Sequence, residues 1–169
     1  MRQGIRIRRI FPNGILCSEE SITLTHLSEL YEQDFHAWAL QNAGLIRAGR
    51  WDQIDQGHLA EELEDMGASK QQQLESRLRV LLGHLLKWQY QPHLRGRSWQ
   101  ATVKEQRYAI MRLLQKNPSL QGKWDETLND AYRLGVLLAV RETNLEESTF
   151  PEICPYTQAQ ILGDHYWPG

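Results

Sequence analysis

The stretch "HLLKWQYQPHLRGRSWQ", residues 84–100, decides the fold, because a helical period runs into it, stops and starts again. At about 100° per residue, Leu85 and Trp88 continue an apolar face that includes Leu74, Leu78, Leu81 and Leu82. Pro92 has no N–H to donate and disfavours helix at the residue before it, so this helix is expected to end near Tyr90. Ser98 is a candidate N-cap for the next helix. That helix presents Trp99, Val103, Ile110, Leu113 and Leu114 and ends before "NPS" at 117–119. Rings set among cations suggest a surface for nucleic acid, but the period divides them. Leu85, Trp88 and Trp99 are expected inside, and Tyr90, His93, Arg95 and Arg97 outside.

The same period extends in both directions from this turn. Residues 25–48 are expected to form a helix with Leu27, Tyr31, Phe35, Trp38, Leu45 and Ile46 on one face. A second, over about 55–67, presents Leu59, Leu63 and Met66 and stops at Gly67, after which Ser69 caps the helix that runs to Tyr90. The fifth, about 120–143, is apolar on more than one side, which suits a central helix or one shared with a partner. The tail "FPEICPYTQAQILGDHYWPG" carries three prolines and is expected to wrap the bundle with a short helix. Residues 1–24 differ: four arginines precede a "PNG" turn signal, and the expectation is a basic arm. The predicted fold is all-α, a single-domain antiparallel helical bundle over 25–169 with about five main helices.

The longest apolar runs, such as "GVLLAV" at 135–140, fall far short of the roughly 20 residues a membrane span requires. The N-terminal residues lack an apolar segment of signal-peptide length, so a cytoplasmic location is expected. Cys17 and Cys154 have no C-x-x-C spacing and suggest neither a disulfide framework nor a zinc site. The net charge of −2 conceals a division. Residues 19–65 carry 11 acidic side chains against Arg47 and Arg50, a balance of −9, whereas 77–116 carry nine Arg and Lys against Glu105, a balance of +8. Such asymmetry marks either a face for a polyanion or helices that neutralise one another.

The blocks "YEQDFHAWALQNAGLIRAGRWDQID", "HLAEELEDMG", "LLGHLLKWQYQP", "RSWQATVKEQR" and "FPEICPYT", in that order, resemble the bacterial domain-of-unknown-function family numbered twenty-nine. The resemblance covers about residues 29–168. It implies a small all-helical protein and brings no established activity or catalytic residues.

A site in such a bundle should show as polar side chains where the period demands apolar ones, since burying them costs free energy unless they are paired. Asp34, Glu62, Arg77, His84, Gln106 and Glu142 meet this test. Three readings are open. The first is a buried polar network in which Asp34 or Glu142 pairs with Arg77 and Gln106. The second is a metal site from His58, Glu62 and His84, although no Glu-x-x-His repeat of the di-iron bundles is present. The third is acid–base chemistry with His84 as base, Glu62 or Glu142 as partner, and Arg77 or Lys87 holding an anion.

Phosphate loops, dinucleotide fingerprints, nucleophile elbows and H-E-x-x-H are all absent from the sequence. No cofactor is expected. The leading functional reading is a non-catalytic binding module for nucleic acid or a protein partner. Its nucleic-acid form would use Lys87, Arg95, Arg97, Lys104 and Arg107, because phosphates require cations. Its protein form would use Leu134, Leu137 and Leu138 on helix 120–143, which could also support a homodimer. The alternative is a phosphate-directed hydrolase using His84 with Glu62 and Arg77.

Overall fold

A computed structural model describes residues 19–169, and side chains from residue 26 onward. It contains α1 (Glu19–Gln33), α2 (Phe35–Arg47), α3 (Gln56–Tyr90), α4 (Arg97–Lys116), α5 (Trp124–Glu142) and α6 (Gln158–Leu162). Short 3₁₀ segments lie between several of these, and no strand occurs among the described residues. The fold is all-α. Cys17 and most of the expected basic arm lie outside the described residues, and the end of that arm, from Glu19, is already helical.

Two expected boundaries are corrected. The helix expected over 25–48 is two helices, because Asp34 leaves the helical region (φ −151°, ψ 81°) and its carboxylate accepts the Ala37 N–H at 3.0 Å as the N-cap of α2. The break expected at Gly67–Ser69 does not occur, and α3 runs 35 residues without interruption. A mid-helix glycine costs about 1 kcal/mol. Its neighbours here, "EELEDM" and "ASKQQQ", are mostly strong helix formers, and elongating an existing helix is far easier than nucleating a second one. Leu63 and Met66, expected in a core, are exposed.

The chain divides at Glu64/Asp65 into two compact units. In the first, Leu27, Trp38 and Ile54 are the buried apolar side chains among the described residues. In the second, the leucine stripe of α3 forms one core with Val103, Ile110 and Leu113 of α4 and Ala131, Tyr132, Val136 and Ala139 of α5. Arg77 meets Gln106, while Lys87 lies over Trp99, so α3 and α4 are antiparallel. Gly83 faces Gly135 and Leu138, while Lys87 meets Glu142, so α5 runs in the same sense as α3. The second unit is therefore an up–down–up bundle.

The C-terminal segment wraps this bundle, as its prolines predict. Phe150, Tyr156 and Ile161 are buried in the core. Tyr132 donates its hydroxyl to Pro151 O at 2.7 Å, and Tyr156 donates its own to Gln89 at 2.6 Å. Thr157 and Gln160 close a capping box at the start of α6. Among the described residues no helix is long and apolar enough to cross a membrane.

Candidate functional site

The six polar residues expected to share one network are distributed over separate partners. Asp34 is exposed at its cap, and its expected place in a buried network is corrected. Glu62 accepts the Tyr31 hydroxyl at 2.7 Å. Arg77 donates to Gln106 at 3.3 Å, the one expected pairing that forms. His84 Nδ1 lies 2.8 Å from Val80 O. A carbonyl only accepts, so Nδ1 carries the proton, and burial holds the His84 pKa below its ordinary value. Glu142 is not buried; it reaches in from the surface to Lys87 at 2.6 Å. Glu62, Arg77 and His84 thus each have a partner of their own, Tyr31, Gln106 and Val80 O.

Two residues of the expected basic surface are corrected. Lys87 is 3% exposed, and its ammonium lies between the Glu142 carboxylate and the Trp99 ring, 4.5 Å from the centroid. This hydrogen bond holds the Glu142 carboxyl below the usual range. Arg107 is fully buried. Its guanidinium donates to four carbonyls of the C-terminal wrap: Ile161 (2.9 Å), Tyr166 (2.7 Å), Gln160 (3.4 Å) and Asp164 (3.5 Å). Arg95 remains exposed but donates to Trp88 O at 2.8 Å. Arg97 and Lys104 lie on the surface of α4.

A further polar constellation lies in the first unit. The Asp55 carboxylate is buried and accepts Trp38 Nε1 at 3.1 Å and His58 Nδ1 at 2.7 Å. Asn42 braces it from behind, donating to Trp38 O at 3.0 Å and accepting the Asp55 N–H at 2.9 Å. The His58 ring stacks on Tyr31, with centroids 4.0 Å apart and planes 14° off parallel. This network ties α1, α2 and the start of α3 together. Burial pushes the Asp55 carboxyl up, but the hydrogen bonds from His58 and Trp38 outweigh it and leave it below its ordinary range. The bond to Asp55 raises His58, and the bond to Glu62 pushes Tyr31 up to about 12.

Asp55, His58 and Ser28 superficially resemble a hydrolase triad, but the geometry excludes that role. Ser28 Oγ lies 3.5 Å from His58 Nδ1, the nitrogen that Asp55 already occupies. A triad needs the nucleophile and the carboxylate on opposite ring nitrogens. Metal binding is not assembled either. Among the described residues no three His, Cys, Asp or Glu side chains gather as a metal group, and His58 and Glu62 each serve another partner. A cavity of about 360 Å³ beside Tyr132, Arg133, Glu147 and Glu152, and one of about 310 Å³ beside Leu27, Leu45 and Arg50, are lined by none of these residues.

The period should have revealed Asn42, which falls one turn after Trp38 on the same face. It could not have revealed Asp55, which lies outside any helix.

No curated protein and no solved structure matches the chain. The family model for the Domain of unknown function DUF29 matches residues 30–167, and the chain belongs to that family.

Proposed function

We propose that this protein is a non-catalytic binding module of the cytoplasm whose partner is another protein, docked on the first unit. One observation carries the reading. Phe35, Leu40, Trp51 and Leu63 are 50%, 59%, 59% and 61% exposed, in a unit whose described residues bury only Leu27, Trp38 and Ile54 among their apolar side chains. Large apolar side chains left outside while so few are inside favour a surface that a partner covers. The Asp55 network holds Trp38, on which Phe35 packs at 5.2 Å between ring centroids, and preorganised side chains lose less entropy on docking. Self-association through α5 has narrower support. Leu138 is buried, which leaves Leu134 and Leu137 as its exposed pair.

The test places a photo-crosslinking amino acid at Leu40 or Trp51 in cells, with Glu64 as a control position. A discrete crosslinked protein band from Leu40 and Trp51, absent from Glu64, is the expected result. Bands that vanish with nuclease, or no band at all, overturn the protein-partner reading. A band at twice the chain's own mass identifies the partner as a second copy.

A further inference from the structure

The surface of α4 carries a second pattern that the first unit does not explain. Arg97, Ala101, Lys104, Tyr108, Arg112 and Gln115 fall within about 60° of one line along the helix. All six are exposed. The core-facing side of the same helix, Val103, Ile110 and Leu113, is turned the other way. The stripe's charges are Arg97, Lys104 and Arg112, with Glu105, the one acid of α4, exposed at its edge about 20° from Arg112. From Arg97 to Arg112 the cations extend over about 22 Å of helix at 1.5 Å per residue.

Tyr108 stands in the middle of this line, 64% exposed. Arg112 lies beside it, its guanidinium carbon 5.8 Å from the ring centroid and Nη1 3.3 Å from the hydroxyl. Lys104 is one turn to the other side. An exposed ring flanked by cations that outnumber the one nearby acid three to one complements a ligand that carries both negative charge and flat π-faces. Single-stranded nucleic acid has this chemistry: phosphates answer the cations and an unpaired base stacks on the ring. A duplex offers phosphates but no free base face. An acidic protein offers charge but needs no stacking. We infer that the exposed stripe Arg97–Lys104–Tyr108–Arg112 of α4 is a binding surface for single-stranded nucleic acid, independent of the surface proposed on the first unit.

The experiment measures fluorescence anisotropy of a labelled oligouridylate of about twelve nucleotides against the full chain. A duplex of equal length and polyglutamate serve as competitors. With three phosphate contacts, each contributing about 0.7 to the slope of log affinity against log salt, affinity should fall about twentyfold between 50 and 200 mM salt. Lys104→Glu and Arg112→Glu should each weaken binding about tenfold or more. Tyr108→Ala should weaken it at least fivefold, whereas Tyr108→Phe, which keeps the ring, should not. All three positions are exposed, and unchanged helicity by circular dichroism verifies that each variant is folded. No binding at low salt overturns the inference, as does an affinity indifferent to salt. Silence of Tyr108→Ala together with equal competition by polyglutamate also overturns it, and assigns the stripe to an acidic protein instead.

Discussion

Gly83 and Gly135 meet where α3 and α5 pass each other, and neither has room for a side chain. A Cβ on Gly135 would fall 3.2 Å from Arg79 O, from Gly83 N and from Leu82 Cβ. One on Gly83 would fall 2.5 Å from Leu138 Cδ2 and 3.1 Å from Gly135 O. The two glycines are a packing device. They let the two backbones approach, and one turn further along α3 the same approach brings Lys87 within reach of Glu142.

Gly135→Ala should therefore destabilise the protein by about 1–3 kcal/mol despite alanine's better helix propensity, because backbone atoms cannot yield. Gly83→Ala should cost at least as much, since its Cβ would meet Gly135 O at 3.1 Å and displace the buried Leu138 side chain at 2.5 Å. Gly67→Ala is the opposite control. Nothing lies within 4 Å of its added Cβ, so it should stabilise α3 by up to about 1 kcal/mol. Urea unfolding of the three variants checks the order. A Gly135→Ala protein as stable as wild type would refute the close crossing.

The Lys87–Glu142 pair should be asymmetric under mutation. Glu142→Gln leaves an ammonium in the interior with only the Trp99 face and a neutral amide, and should cost about 1–2 kcal/mol, less than a fully buried pair because Glu142 is partly exposed. Lys87→Met removes the charge with its need for a partner, and should cost less. Glu142 has a depressed folded pKa, so its stabilisation is present above its unfolded value of 4.5 and is lost as pH falls through the folded one. Thermal melts of wild type and Glu142→Gln should accordingly converge in acid.

Much of the fold is legible in the sequence because α3 keeps its period over Leu74, Leu78, Leu81, Leu82, Leu85 and Trp88, all of which are buried. The departures have physical causes. Gly83 and Lys87 lie opposite the leucine stripe, where a period alone predicts solvent, yet α5 packs there. A helix segment packed on both sides has no polar face to betray its orientation, so the period places Lys87 outward. On α4 the period favours Gln106 over Arg107 as the inward residue, but Gln106 is half-buried and Arg107 wholly so. The chain that covers Arg107 arrives from more than 50 residues away, at Gln160 and Ile161. Helical periodicity records what one helix prefers and carries no information about which distant segment crosses it. Asp34 misleads for the reverse reason. Its position fits the apolar face of a continuous helix, but a short carboxylate competes for backbone N–H groups and ends the helix instead.

The Asp55–His58 bond should make the first unit most secure in mild acid. The folded pKa of His58 is raised, so its contribution is full below the unfolded value of 6.5 and is lost as pH rises through the folded value. Asp55 is depressed, so its contribution is present above 3.8 and is lost as pH falls through its folded value. The two windows overlap between 3.8 and 6.5. An NMR titration of the His58 ring should give a midpoint above 6.5 that drops in Asp55→Asn. A His58 midpoint unmoved by Asp55→Asn would sink the assignment.

Arg107 should hold the C-terminal wrap in place, and lysine should not replace it. The guanidinium fork reaches carbonyls at Gln160, Ile161, Asp164 and Tyr166 at once, whereas an ammonium on a single stem cannot span them. Arg107→Lys leaves several of these acceptors without a charged donor, and should cost about 2–4 kcal/mol. The loss should be local before it is global. In hydrogen exchange, the amides of Ile161 and Tyr166, which bond to Thr157 O and Gly163 O, should exchange much faster in the variant. Amides of the α3 leucine stripe should change only as far as overall stability does. Trp167, which packs on Trp88 at 4.5 Å and receives Arg107 at 5.4 Å from its ring centroid, offers a fluorescence readout of the same release. If the α6 amides keep their protection in Arg107→Lys, the wrap is held by Tyr156 and Ile161 packing instead, and Arg107 is a passenger in the core.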